Sequence, residues 1–267
     1  MKLHYLATGN ADGPLVALLH GFLGSHRDWD SLIEILGDRY YCVAIDLPGH
    51  GKSLGGRDGD YTVPSAATAI IDLIDTFDVS SFSIIGYSMG GRLALYLTSI
   101  YAMRIDALVI ESASPGLQTI DERADRRARD EHWAAMLESG ELEAFLESWY
   151  AQPLFASLMA RPALIERIRR ERMLNNPREL ARALRGLSVS RQSPLWDEWR
   201  GNHIPTLVVA GELDDKYHAL ANEMHAACPS STVAIIPGAG HNVHEEAPGA
   251  YNSAIAAFLN QVLNPKP

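Results

Sequence analysis

Apolar residues along this chain fall into two alternating patterns, short unbroken runs and longer stretches with helical spacing. The runs at 15–19, 41–47, 82–85, 107–110, 205–211 and 232–236 are bounded by Gly, Pro or Asp, as the buried strands of a parallel sheet are. Residues 2–8 read as an edge strand. The stretches 29–36, 63–77 and 247–262, and the one that follows Ser88, carry apolar residues three and four apart, which predicts amphipathic helices. Strand and helix in regular alternation imply an α/β fold with a mostly parallel central sheet flanked by helices. The alternation stops after the run ending near Glu111. From Thr119 to Trp199 the spacing is helical throughout, broken at Gly140, Pro153, Pro162, Pro177 and Gly186, with no strand pattern. The expected organisation is a body formed by 1–114 and 201–267 and an all-helical cap at 115–200. Such a cap would sit over the C-terminal edge of the sheet, where open α/β sheets bind ligands. At 267 residues the chain is long enough for one body with an insertion and short for two independent domains. The closing Pro-Lys-Pro is expected to fray.

The run at 82–85 leads directly into Gly86-Tyr87-Ser88-Met89-Gly90-Gly91-Arg92. Gly-x-Ser-x-Gly between a strand and a helix has a steric reason, because the serine occupies a sharp, strained turn and small neighbours let the two backbones pass. Ser88 is thereby expected to stand in the open as a nucleophile or base. The Met89 N–H, at the first turn of the helix, can face an oxyanion beside it. His20-Gly21-Phe22 follows the first strong strand, where a second donor, the Phe22 N–H, is expected. Both marks resemble the α/β-hydrolase fold, as does Asp46-Leu47-Pro48-Gly49-His50-Gly51-Lys52-Ser53. His20 and Asp46 are expected to tie and brace their loops.

A serine hydroxyl becomes useful only when a histidine takes its proton, and the histidine needs an acid to hold its tautomer. The chain order Ser88, acid, His241 places each of the three on a loop after a strand. His241 follows the last strand through Gly238-Ala239-Gly240, and His244 is its near rival. For the acid, the spacing Gly211-Glu212-Leu213-Asp214 favours Asp214 over the adjacent Asp215, with Glu111 a weaker candidate.

Charge changes the picture in one respect. The formal net charge of -10 argues against nucleic acid, which is bound through basic patches. Residues 115–200, however, hold 14 of the 23 cationic side chains, all arginine, and 14 of the 33 acids, so the cap is neutral and the body carries the whole excess. No stretch reaches the ~18 apolar residues of a membrane span, and Met1-Lys2-Leu3-His4 opens no apolar leader, so a cytoplasmic protein is expected. Cys42 and Cys228 read as buried thiols, with no metal-like pair. No cofactor is expected, and the chain is expected to be a monomer or small homo-oligomer.

Several further motifs are more specific than the hydrolase marks: the elbow through Arg92; Ser114-Pro115-Gly116-Leu117 with Arg123-Ala124-Asp125-Arg126 and Asp130-Glu131-His132-Trp133; and Trp149-Tyr150-Ala151-Gln152-Pro153-Leu154-Phe155. To these are added Gly211-Glu212-Leu213-Asp214-Asp215-Lys216-Tyr217 and Gly240-His241-Asn242-Val243-His244-Glu245. Over nearly its whole length the chain resembles the 2-succinyl-6-hydroxy-2,4-cyclohexadiene-1-carboxylate synthases of menaquinone and phylloquinone biosynthesis. The resemblance implies a lyase that eliminates pyruvate from 2-succinyl-5-enolpyruvyl-6-hydroxy-3-cyclohexene-1-carboxylate, with the serine as base. It further implies that Arg92, Arg126 and Arg172 hold the three carboxylates of this polycarboxylate substrate while Tyr87 and Trp149 line the pocket. Arginine suits the task, since its planar fork pairs bidentately with a carboxylate. Ordinary ion pairs on solvated helix faces account for most of the fourteen cap arginines, for Arg126 has Asp130 four residues on and Arg172 follows Glu171. Arg92 differs, lying one turn past Ser88 on the same helix face. An esterase or carbon-carbon bond hydrolase of the same fold is the alternative activity, and a non-catalytic ligand-binding protein the alternative class.

Overall fold

Seven strands form one sheet in the order β1-β3-β2-β4-β5-β6-β7 in the computed structural model, which describes residues 1–263. They are β1 (Tyr5–Gly9), β2 (Leu15–Leu19), β3 (Tyr41–Ile45), β4 (Phe82–Tyr87), β5 (Ile105–Glu111), β6 (Thr206–Gly211) and β7 (Thr232–Ile236). β1 is an antiparallel edge, with Tyr5 opposite Ile45, and the other pairs are parallel. The Pro-Lys-Pro tail lies outside the described residues.

Helices α1 (Asp30–Leu36), α2 (Val63–Asp75) and α3 (Met89–Ile100) follow β2, β3 and β4. Between β5 and β6 come α4 (Ile120–Glu138), α5 (Leu142–Tyr150), α6 (Ala156–Met159), α7 (Pro162–Arg172), α8 (Pro177–Gly186) and α9 (Trp196–Arg200). The chain closes through α10 (Asp215–Ala227), α11 (Val243–Glu246) and α12 (Pro248–Leu263).

Alternate strand residues enter two different cores, which is why the runs are continuous in the sequence. Ala17, Leu19, Val43, Ile45, Ile84 and Leu108 pack against Ile70 and Ile74 of α2 and Leu93 and Leu97 of α3. On the other face, Val16, Leu18, Ala44, Ile85 and Val109 meet Leu32 and Leu36 of α1 and Tyr251, Ile255 and Leu259 of α12. Each Leu or Ile buried in these layers contributes about 1.5–3 kcal/mol relative to exposure. The inserted helices have a core of their own, with Leu137, Phe145, Leu158, Ile168, Leu180 and Leu184 gathered around Leu23 from the loop after β2. Trp196 and Trp199 of α9 instead pack in the layer of α3, beside Met224 of α10. Helix α10 is absent from the sequence reading, since its buried apolar positions are few: Ala221 and Met224.

Both cysteines are free and buried, and burial pushes the Cys42 thiol up to about 12. Among the described residues no helix is long and apolar enough to cross a membrane.

Candidate active site

Ser88 stands between β4 and α3 with φ 50 and ψ -105, a conformation that a side-chain-bearing residue adopts only when its surroundings enforce it. Two bonds enforce it here: the Ser88 N–H donates to the Glu111 carbonyl at 2.8 Å, and the Arg92 N–H returns to the Ser88 carbonyl at 3.0 Å. The crossing is too tight for any Cβ at Gly86, which would come within 2.5 Å of the Gly90 carbonyl oxygen. Gly21 is held similarly, its absent Cβ leaving room for the Tyr87 ring. Neither the Phe22 N–H nor the Met89 N–H is taken by another protein group among the described residues.

The loops after β6 and β7 complete a chain of hydrogen bonds. His241 Nε2 lies 3.4 Å from Ser88 Oγ, and His241 Nδ1 lies 2.8 Å from Asp214 Oδ2. The second Asp214 oxygen accepts the Tyr217 N–H at 3.1 Å, so the same carboxylate caps α10 and is fixed by it. Asp214 and His241 are both buried, whereas Asp215 is exposed on the first turn of α10. Rings crowd the imidazole: Tyr217 at 4.7 Å between centroids, Tyr87 at 5.5 Å and Phe155 of the cap at 5.9 Å. The rival His244 is committed elsewhere. Its Nδ1 is 2.8 Å from Glu111 Oε2, and although burial opposes its charge, the Glu111 carboxylate holds its pKa above the usual histidine value. That pairing also occupies Glu111. His20 ties two loops, as its pattern predicts, with Nε2 accepting the Leu47 N–H at 2.9 Å.

The three singled-out arginines have different surroundings. Arg92 donates to Gln192 Oε1 at 3.0 Å and to the Leu187 carbonyl at 2.8 Å, which uses two of its five N–H groups. Burial, and then the nearby charge of Arg126, lower its pKa to about 10. Arg126 gives its Nε–H to Asp130 at 2.7 Å, and among the described residues neither terminal nitrogen has a protein partner. Arg172 is the exception to the expectation. Its fork is taken by Asp28, at 2.7 and 2.9 Å, in a buried pair 144 residues apart in sequence, and only its Nε lacks a partner. Asp28 thus takes two of the five N–H groups of the fork expected at a substrate carboxylate. Breaking a buried pair of this kind by removing one partner costs about 3–5 kcal/mol. Trp149 of α5 is half-buried, and its ring centroid lies 5.1 Å from that of Phe22 on the loop after β2.

A family model described as alpha/beta hydrolase fold matches residues 14–248. A protein of Bacillus subtilis (strain 168), provisionally named as a 2-succinyl-6-hydroxy-2,4-cyclohexadiene-1-carboxylate synthase, is 37% identical over 249 residues, 92% of this chain and 90% of that protein. The synthase of that name from Salmonella paratyphi C is 34% identical over 257 residues, 94% of this chain and 96% of its own length. The solved structure of MenH from S. aureus superposes with a TM-score of 0.92 at 32% identity, covering 98% of this chain and 99% of that one. This chain belongs to the MenH synthase family, on the α/β-hydrolase fold.

A cavity of about 510 Å³ opens among α5, α6 and α7 of this MenH-family chain, lined by Leu146, Met159, Ile165 and Met173 with Glu143 and Arg169. It includes none of Ser88, Asp214 and His241, so hydrogen-bond geometry and not cavity size locates the chemistry. Metal-type side chains converge at His4, His26 and Asp46. The Asp46 oxygens already accept four bonds there, from the His26 and Lys52 amides at 2.8 and 2.9 Å and from the rings of His4 and His26, each at 2.9 Å. A carboxylate offers about four lone-pair sites, so the cluster is satisfied as the loop brace that its sequence pattern predicts. Tyr217 enters the sequence reading only as the end of the Gly211 motif, with no role of its own, and Gln192 does not enter it. The first follows Lys216 in a helix that the pattern hid, and the second lies 100 residues from Arg92, with no local signal to mark it.

Proposed function

We propose that this protein is a 2-succinyl-6-hydroxy-2,4-cyclohexadiene-1-carboxylate synthase, which removes pyruvate from 2-succinyl-5-enolpyruvyl-6-hydroxy-3-cyclohexene-1-carboxylate in menaquinone or phylloquinone biosynthesis. Ser88, His241 and Asp214 form its triad. His241 Nε2 takes the Ser88 proton, and the Ser88 oxygen removes the proton at ring carbon 2, next to the succinyl ketone. Electrons move through the 3,4 double bond and expel the enolpyruvyl oxygen from carbon 5, leaving the 2,4-diene. Protonated His241 can return its proton to the departing enolpyruvate, which becomes pyruvate. Charge develops on the ketone oxygen during this step, and the Phe22 and Met89 N–H groups are the donors for that enolate. A hydrolase uses the same two donors on a tetrahedral intermediate, so the scaffold needs no new catalytic part.

The observation that carries this reading over an esterase is Arg92, one helical turn past Ser88, with two of its five N–H groups on protein oxygens and the charge of Arg126 near enough to add to burial in lowering its pKa. Tyr87 and Trp149 line the site, and Arg172 adds its Nε–H. Substrate is a free polycarboxylate, bound through the body and the cap at 115–200 together.

Arg92 provides the test. Arg92→Lys keeps the charge and loses the fork, which is not conservative at a planar carboxylate site. It is expected to lower kcat/KM for pyruvate release at least about 10-fold, and Arg92→Ala by about 10 to 150-fold per bond lost, at 1.5–3 kcal/mol each. Because ring and leaving group must be held in one alignment, kcat falls as well as KM rising. A silent Arg92→Lys would contradict the carboxylate clamp.

A further inference from the structure

Arg92 is held differently from the other arginines of the site. Arg126 is paired with the Asp130 carboxylate and Arg172 with that of Asp28. Among the described residues no carboxylate pairs with Arg92, and both of its partners are neutral oxygens: Gln192 Oε1 at 3.0 Å and the Leu187 carbonyl at 2.8 Å. Both lie in the stretch between α8 and α9, which the Ser188 hydroxyl fastens to Asp130. Asp130, whose charge is felt at Arg92 less than that of Arg126, is spent on Arg126 and Ser188. Gln192 is itself buried, at 2% exposure. A guanidinium only donates, so the amide must turn its oxygen to Arg92, and Nε2 is left buried without an acceptor. Among the described residues Arg92 is the sole side-chain partner of Gln192. A glutamate of the same shape would make a stronger, charge-assisted bond at this point. A neutral amide thus stands where an ion pair would fit.

We infer that Gln192 is a positioning residue that sets the charge specificity of the site: its amide oxygen aims the Arg92 fork without cancelling the positive charge, which is left for a substrate carboxylate. This role rests on the carboxylate function proposed for Arg92 above and names what keeps that charge available. With two of the five Arg92 N–H groups on neutral oxygens, three remain for an anion. A carboxylate at position 192 would take the fork for itself, and substrate could then bind only by breaking an ion pair already made inside the protein. A purely apolar side chain there would leave the charge intact and the fork aimed by the Leu187 carbonyl alone.

Two substitutions separate charge from shape. Gln192→Glu keeps the shape and the acceptor and adds a negative charge, whereas Gln192→Met keeps neutrality and loses the acceptor. Gln192→Met is expected to lower kcat/KM for pyruvate release about 3 to 10-fold, the loss of one ordinary hydrogen bond. Gln192→Glu is expected to lower it further, by up to about 150-fold and mostly through KM, and to flatten the rise of KM with salt, because the fork's charge is cancelled. A merely structural role predicts the reverse order, since glutamate preserves the bond that methionine deletes. In both variants a small neutral fluorophosphonate is expected to label Ser88 within about 2-fold of the parent rate, because the triad is untouched. Gln192→Glu at or above the activity of Gln192→Met would overturn the inference, as would labelling that falls in step with kcat/KM. Should Gln192→Glu fail to fold, Gln192→Met decides alone, and a value within about 2-fold of parent would overturn it. A parent protein that releases no pyruvate would overturn the synthase reading instead. Protection of Ser88 from labelling by succinate then decides the role of Gln192: protection in the parent that needs at least about 10-fold more succinate in Gln192→Glu sustains it, and equal protection, or none in the parent, overturns it.

Discussion

Replacing Ser88 with alanine is expected to lower pyruvate release by at least about 10³-fold while leaving substrate affinity within a few-fold of the parent. The hydroxyl is the atom that receives the ring proton, so the loss falls on kcat, whereas the arginine contacts that bind carboxylates are untouched. Residual activity comes from the oxyanion donors and from binding alone, as it does when one member of a serine triad is removed. Steady-state kinetics together with calorimetric titration of the inactive variant separate the two effects. A loss below about tenfold would assign the base to another group and dissolve the triad reading.

Asp214→Asn is expected to cost about 10⁴ in kcat, the scale of the same change in a serine protease, because an amide can hold the wrong histidine tautomer. Asp214 has a second task, accepting the Tyr217 N–H at the start of α10, and the asparagine oxygen can keep that cap. The fold should therefore survive, with the melting temperature nearly unchanged. Asp215→Asn, on the exposed first turn of α10, is expected to be almost silent in the same assay. If Asp215→Asn were the more damaging of the two, the acid would be misassigned by one residue.

How much of this was legible before the structure depends on how local each signal is. The bounds of β2 and β7 coincide with apolar runs, fully buried in β2 and half-buried at the sheet edge in β7, because a strand writes its own limits in consecutive apolar residues. Ser88 is legible because the elbow packs strand, turn and helix into a single motif. Asp214 and His241 are legible because each follows its own strand and turn. Helix α10 was missed because most of it faces outward, leaving too few apolar positions for a periodic pattern. Contacts between distant segments leave no trace in a pattern of apolar spacing. The Arg172–Asp28 pair spans 144 residues, so nothing local in the sequence shows that two of its N–H groups are held within the protein. Glu246 reads as one of two acids after His244. Only the folded loop shows its oxygens on both amides beside His241.

The most direct test of the synthase reading is to supply the purified protein with 2-succinyl-5-enolpyruvyl-6-hydroxy-3-cyclohexene-1-carboxylate and to follow pyruvate and the diene product together. One pyruvate is expected for each diene, at a rate proportional to protein concentration and abolished by Ser88→Ala. Substrate left intact, or cleavage of simple esters by the same protein with no pyruvate formed, would contradict the elimination and leave a hydrolase on this fold.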